Sequence, residues 1–437
     1  MFSYYLQLAA KSLKSTPITT LLMVLAIACG IGISMTALTL NHMTGTNPIP
    51  EKSSQLFAVQ LQSSGKTSEW PTSDNVPFQI AYQDATNLMR VMPKYKHTAM
   101  YKTGFSVRTL EPKFAPLLRT ARVTTRHFFS MFNVKFLYGA PWSEKVDENP
   151  TLQVVINQDL NNKLFGGGDN TGKEIFLDDK TYQIVGIIEP WHPKPKFYDL
   201  NNGSFQSTEQ LFIPLVLSST YELPSFGNNN GWKDERNNTF KDKLASEVLW
   251  LQYWAELPDA EAKEHFQQFL TGYVDEQKKL ARFERDDARA VLRNVQQWLD
   301  YNEVVGDDSY VLVAVSFMFL TVCLVNSIGL LLAKFLRSAP SVGVRRALGA
   351  SKGQVFSQHL VEVGLLGLIG GLLGLVFAYL GLTLLKNNFA GFDFVATMDM
   401  VMFLSAPVIA ICATVLAGVY PAWRVCNTLP SIYLKTQ

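Results

Sequence analysis

Cysteine is missing altogether from residues 44–309 of this 437-residue chain; the four present are Cys29, Cys323, Cys412 and Cys426. That absence excludes a disulfide framework for the stretch, which is long enough to build cores of its own. Histidine is nearly as scarce. His42, His97, His127, His192, His265 and His359 are scattered, none at ligand spacing from a cysteine or another histidine. Neither Gly-x-Ser-x-Gly nor His-Glu-x-x-His occurs, so a hydrolase or metalloprotease has no residues to rest on. Charge is also low, at 17% of residues, and unevenly placed.

Four runs hold no charge at all: Ile18–Leu40, Tyr310–Ala333, Val363–Leu385 and Met400–Tyr420, each 21 to 24 residues long. About 20 apolar residues in a helix cross a hydrocarbon core of about 30 Å. Four membrane-spanning helices are therefore expected. The first run is too long for a signal-peptide core, and Pro17 before it suits a helix start.

Acids are missing from three of the segments that flank these runs. Residues 1–43 carry Lys11 and Lys14; 334–354 carry Lys334, Arg337, Arg345, Arg346 and Lys352; the tail from Pro421 carries Arg424 and Lys435. Only the short 386–399 link mixes Lys386 with Asp393 and Asp399. Positive charge marks the inner side, so both termini and the 334–354 link are expected inside. Residues 44–309 then lie outside, with 29 basic and 34 acidic residues. The overall +2 hides this split and argues for no nucleic-acid role.

Met1–Ser15 places Phe2, Tyr5, Leu6, Ala9 and Leu13 on one helical face, which predicts an amphipathic interfacial helix over 1–17 leading into the first span, the alternative being an inner extension of that span. In the outer segment, strands are expected at Gln55–Gln62, Thr98–Leu110, Leu117–Thr124, Leu152–Asn157, Glu174–Leu177, Lys180–Ile188, Gln210–Pro214 and Val248–Glu256. Helices are expected at Pro77–Met92, His127–Phe132, up to Phe165, and Ala260–Leu280. Asp178-Asp179 predicts a tight hairpin. Residues 190–245 read as long loops, and a polar stretch follows residue 280. The βαββ start and mixed order define a layered α+β fold. The terminal pieces, 50–125 and 245–305, are expected to form one subdomain, with about 140–240 inserted.

Gly167-Gly-Asp-Asn-Thr-Gly-Lys173 resembles a phosphate-binding loop. Glu174 stands where the magnesium-holding Ser or Thr is needed, so a glycine-rich turn is the better reading. Glu362 lies near the inner start of the third span, close enough to the interface to pair with Lys352 or a backbone group. A structural or docking role is favoured over a proton relay. Gly364, Gly367, Gly370, Gly371 and Gly374 crowd the third span. The 367/371 and 370/374 pairs predict close helix packing, within one subunit or across a dimer.

Three regions together resemble the MacB/FtsX-type ABC transporter permeases. One is Leu8–Gly32, with Pro17-Ile-Thr-Thr-Leu-Leu and Gly30-Ile-Gly. The second runs from Val123-Thr-Thr-Arg-His-Phe-Phe to Gly139, then Val154-Val-Ile-Asn, Leu164-Phe-Gly, Thr171-Gly-Lys and Tyr182-Gln-Ile-Val-Gly-Ile. The third is Gly343-Val-Arg-Arg-Ala-Leu-Gly-Ala-Ser, Glu362, Gly370-Gly and Pro421-Ala-Trp-Arg424. The resemblance implies four transmembrane helices (18–43, 310–333, 363–385, 400–420) and a periplasmic α+β domain, a porter-like subdomain with an inserted second one. It implies a coupling segment over 334–362, where Gly343, Val344, Arg345, Arg346, Ala347, Leu348, Gly349, Ala350 and Ser351 meet an ATPase, with Glu362 and Arg424 in support. The tail, 421–437, is cytoplasmic. Ser341 departs from the family, which usually has an acid there.

The implied partners are a separate cytoplasmic ABC ATPase, a second permease subunit in a homo- or heterodimer, and a periplasmic adaptor with an outer-membrane channel. The chain itself is expected to be no enzyme and to bind no cofactor or metal; ATP and magnesium belong to the ATPase. The location implied is the bacterial inner membrane. The function implied is relay of ATPase-driven motion to a periplasmic domain acting on an exported peptide, toxin, antibiotic or lipoprotein. The alternative is an FtsX-like regulator of a periplasmic cell-wall enzyme or sensor.

Overall fold

The computed structural model describes residues 2–110, 115–304, 306–388 and 400–427. The expected 386–399 link and the far tail lie mostly outside the described residues. Two compact units emerge: Met1–Gly45 with Val305–Gln437, and Thr46–Val304. In chain order the elements are α1 (Phe2–Ser15), α2 (Pro17–Gly45), β1 (Leu56–Leu61), β2 (Ile80–Ala81), α3 (Tyr82–Val91), β3 (Lys96–Thr109), β4 (Leu117–Thr124), α4 (His127–Met131), β5 (Phe136–Gly139), α5 (Glu144–Glu148), β6 (Gln153–Asn157) and α6 (Gln158–Phe165). There follow β7 (Glu174–Leu177), β8 (Lys180–Ile188), a short 3-10 turn (Phe197–Asn202), β9 (Leu211–Pro214), α7 (Leu217–Tyr221), α8 (Phe240–Ala245), β10 (Leu249–Glu256), α9 (Ala260–Lys279), β11 (Ala290–Asn294), α10 (Val295–Tyr301), α11 (Asp307–Ala347), α12 (Lys352–Asn388) and α13 (Met400–Cys426).

In the first unit, α2, α11, α12 and α13 are each long and apolar enough to cross a membrane. They are apolar on every side. Ile27, Ile31, Leu320, Leu375 and Ala410 fill the bundle, while Leu21, Leu25, Val315, Met318, Leu372, Val408 and Leu416 point out of it. A helix apolar all round suits lipid, where only internally satisfied backbones survive. The glycines of α12 divide between two neighbours. A Cβ on Gly371 would lie 2.7 Å from that of Ala410 on α13; one on Gly374 would lie 2.8 Å from Ile31 on α2. Gly367 also faces α13, and Gly370 faces Ile27. Both four-residue pairs thus serve packing within this chain.

In the second unit the strands run β11-β1-β10-β3-β4-β9-β6-β8-β5, with β2 beside β10 and β7 bridging β3 and β8. Most pairs are antiparallel; β4 with β9 and β6 with β8 are parallel. Side chains alternate across a strand. Phe57, Val59 and Leu61 of β1 therefore enter one core, and Leu56 and Ala58 the other. Cores on both faces explain why all six residues of β1 are buried. α9 covers one face with Ala262, Phe266, Leu270 and Val274, capped by Asp259, which accepts from the Ala262 N–H at 2.8 Å.

Two expectations shift. The helix expected from Pro77 begins at Tyr82, because Ile80 pairs with Leu251 of β10 and keeps 80–81 extended. The polar stretch after residue 280 instead supplies β11 and α10.

The 190–245 region contains a buried ionic cluster. Arg122 of β4 donates to Asp199 and Glu209, Lys196 Nζ meets Glu209 Oε1 at 2.6 Å, and Tyr198 Oη donates to Glu209 Oε2 at 2.8 Å. Burial works against the Glu209 carboxylate, but Arg122 and Lys196 hold it well below the usual carboxylate range.

Candidate coupling site

The basic segment is helical for most of its length. α11 runs without a break through Pro340 to Ala347, so the link between α11 and α12 shrinks to residues 348–351. Gly343, Val344, Arg345, Arg346 and Ala347 form the last turn of α11. Leu348 caps it, and Gly349 follows at φ +103, a backbone geometry that favours glycine. The Gly349 and Ala350 N–H groups donate to the Arg346 and Arg345 carbonyls at 3.1 and 3.0 Å, satisfying the end of the helix. Ser351 starts α12 with a reciprocal cap. The Gln354 N–H donates to Ser351 Oγ at 3.2 Å, and the Ser351 N–H to Gln354 Oε1 at 3.0 Å.

The tip of this hairpin is apolar and basic together. Leu348 is 83% exposed and Val344 49%, beside exposed Arg345 and Lys352. The two arginines part company. Arg345 reaches across the hairpin, donating to Gln358 Oε1 at 2.9 Å on an exposed face. Arg346 is half-buried and donates to the Cys426 carbonyl at 3.0 Å, tying the hairpin to the last turn of α13. Arg346 is thus already engaged within the chain. Arg424 stays exposed on α13.

Below the tip, Glu362 is buried at 1% exposure. Its partner is Lys334 of α11, with Nζ 2.6 Å from Oε1, and not Lys352. Lys352 opens α12, ten residues and about 15 Å away along the axis. Ser12 of α1 donates to the same oxygen at 2.7 Å, and His359 Nδ1 lies 3.7 Å from Oε2. Glu362 thus joins α1, α11 and α12. Sequence reasoning missed Ser12 and Lys334. The only signal was for Lys334, which directly follows the apolar run Tyr310–Ala333, where a polar group needs a partner; Ser12, between Lys11 and Leu13, carried none.

The Gly167–Lys173 stretch is a turn. Gly166, Gly167, Gly168 and Gly172 all have positive φ, and Asn170 Nδ2 donates to the Gly167 carbonyl at 3.0 Å. Among the described residues, no group of three or more His, Cys, Asp or Glu side chains could hold a metal.

A model of the MacB-like periplasmic core domain matches residues 20–271, and one of the FtsX-like permease C-terminal region matches 313–430. The chain belongs to the MacB/FtsX-type permease family. It is 24% identical over 297 residues to the macrolide export ATP-binding/permease protein MacB of Bdellovibrio bacteriovorus, covering 67% of this chain and 40% of that one. Over 269 residues it is 23% identical to the pyoverdine export ATP-binding/permease protein PvdT of Pseudomonas syringae, covering 60% and 35%. It therefore spans well under half the length of these curated relatives. The solved periplasmic region of MacB from Actinobacillus actinomycetemcomitans aligns with TM-score 0.35 at 11% identity, covering 56% of this chain and 92% of that one. The extracellular domain of YknZ from Gram-positive bacteria aligns with TM-score 0.33 at 10% identity, covering 55% and 100%. The chain is an ABC transporter permease, a membrane protein with an extracytoplasmic α+β domain.

Proposed function

We propose that this permease relays ATP-driven motion from a cytoplasmic ATPase on a separate chain to its extracytoplasmic unit, which acts on a substrate for export. The observation that carries this reading is the α11–α12 hairpin. Its tip offers Val344, Leu348 and Arg345 to a partner, while the Glu362–Lys334 pair behind it keeps the two helices together. Exposed apolar residues flanked by cations suit a protein surface with acidic and apolar parts. The relatives named for export are ATP-binding/permease proteins, which fits an ATPase partner. In this reading two such permeases pair in the inner membrane with both termini inside. An adaptor and outer-membrane channel would complete the export route.

Val344→Asp with Arg345→Glu should detach or uncouple the ATPase while the permease still folds, since both side chains are exposed. Co-purification from membranes and substrate-linked ATPase turnover would read this. Normal assembly and turnover in that variant would sink the coupling reading. If turnover instead controls a periplasmic hydrolase and moves no cargo, the FtsX-like regulatory role is the one performed.

A further inference from the structure

The extracytoplasmic unit holds a cavity of about 310 Å³ that the coupling reading does not use. Strands β3 and β4, the β7–β8 hairpin and the 221–226 loop enclose it. Phe105, Leu118, Tyr182, Leu223 and Phe226 form apolar walls, and Asp178, Asp179 and Lys180 form a polar rim. That size and mixture are typical of small-molecule sites.

Two features set this cavity apart from an accidental gap. First, Tyr182 is fully buried, yet its hydroxyl has no hydrogen-bond partner among the described residues. A buried phenol normally finds one, and this one lines the cavity. Second, Gly104 lies inside β3, where glycine weakens a strand and often marks close approach of another group. The Phe226 ring lies over it. A Cβ there would come within 2.7 Å of that ring and displace a wall of the cavity.

The rim has a charge bias. Asp178 Oδ1 accepts the Ser106 N–H at 2.8 Å, and Asp179 Oδ1 takes Lys180 Nζ at 3.0 Å. That ammonium also lies 5.2 Å from the centre of the Tyr221 ring. The rim thus carries two carboxylates and one cation, with both aspartates exposed at the mouth. Leu118 is 73% and Phe226 47% exposed, so an apolar ligand can reach the walls from solvent.

We propose that this cavity binds a small amphipathic amine. Its aromatic or branched body lodges against Phe105, Tyr182 and Phe226, an acceptor oxygen takes the Tyr182 hydroxyl, and its ammonium sits at Asp178 and Asp179. Burial and the nearby Tyr221, Asp178 and Asp179 raise the pKa of the phenol, so it stays a donor at any ordinary pH.

The test uses the full chain in lipid nanodiscs, its native cysteines replaced and Leu118→Cys as reporter. The probe is monodansylcadaverine, which joins an aromatic body, sulfonyl oxygens and a primary ammonium. The rate of labelling by a sulfonated maleimide is followed with and without it. The amine should slow labelling in a saturable way. N-acetylation of the amine, or Asp178→Asn with Asp179→Asn, should weaken that protection about tenfold, as the loss of a charged contact does. Tyr182→Phe should weaken it by a smaller factor. Both aspartates are exposed and Asn can still cap Ser106, so the double variant tests binding without disturbing folding. No protection by the amine, or equal protection by its acetylated form, overturns the proposal. The assay uses no nucleotide and no partner, so its failure leaves the coupling reading where it stands.

Discussion

The Glu362 carboxylate sits where the chain is otherwise apolar, and its neighbours Ser12 and Lys334 come from two other helices. Removing one member of a buried pair leaves the other uncompensated, at a cost of about 3–5 kcal/mol. Lys334→Met should therefore lower the unfolding midpoint of the full chain in detergent, and Lys334→Met with Glu362→Leu should recover most of the loss. Equal melting of Lys334→Met and the parent would mean that the pair contributes nothing. His97 offers a second residue-scale case. Burial, with His127 nearby, pushes its pKa from 6.5 down to about 4. Below about pH 6.5 the unfolded chain takes up a proton that the folded one refuses. Stability of the outer unit should fall by up to about 3 kcal/mol between pH 6.5 and 4, then level off. Hydrogen exchange of the β10 amides against pH would show it. An unchanged slope in His97→Gln would place the effect elsewhere.

At the scale of elements, α12 is the helix around which the membrane unit packs. Gly371→Val should wedge it from α13 and Gly374→Val from α2, each at about 1–3 kcal/mol for overpacking. Gly364→Ala should be tolerated, because its Cβ would meet Val415 at 3.8 Å, an ordinary contact. If Gly364→Ala unfolds as readily in denaturant titrations as the other two, the packing account is wrong. Elements with strong alternation were legible in advance. The β7–β8 hairpin follows from Asp178-Asp179 between two alternating runs, and β10 from its aromatic and aliphatic density. β11 and α10 were not, because Arg289–Asp300 shows little apolar periodicity. Their burial comes from pairing with β1. The start of α3 was misplaced for the same kind of reason, since the partner of Ile80 lies 171 residues downstream.

For the whole molecule, the spans could be read from run lengths, because lipid imposes an apolar length locally, and the family from the order of its motifs. The contents of the sites could not. Arg122 and Asp199 are 77 residues apart, and Ser12 and Glu362 are 350 apart. No local pattern announces such pairs. Orientation rests on the positive-inside bias and has its own test. Cysteines placed at exposed Lys66 and Ser351, on a cysteine-free background, should differ towards an impermeant thiol reagent in cells with a permeabilised outer membrane. Lys66→Cys should react and Ser351→Cys should not. The reverse pattern would invert the topology.

The length of α11 has a mechanical meaning. Forty-one helical residues extend about 60 Å, twice the hydrocarbon thickness, so roughly half of the rod stands in water or headgroups. Held by lipid along the uncharged run Tyr310–Ala333, which lies near its start, the rod is a lever whose long arm runs on through residues 334–347. Rocking it by about 5° about the middle of that run moves the Ala347 end by roughly 3 Å, at least as far as the shifts by which packed helices switch. The single proline, Pro340, lies seven residues from the Ala347 end, where it leaves the rest of the rod stiff.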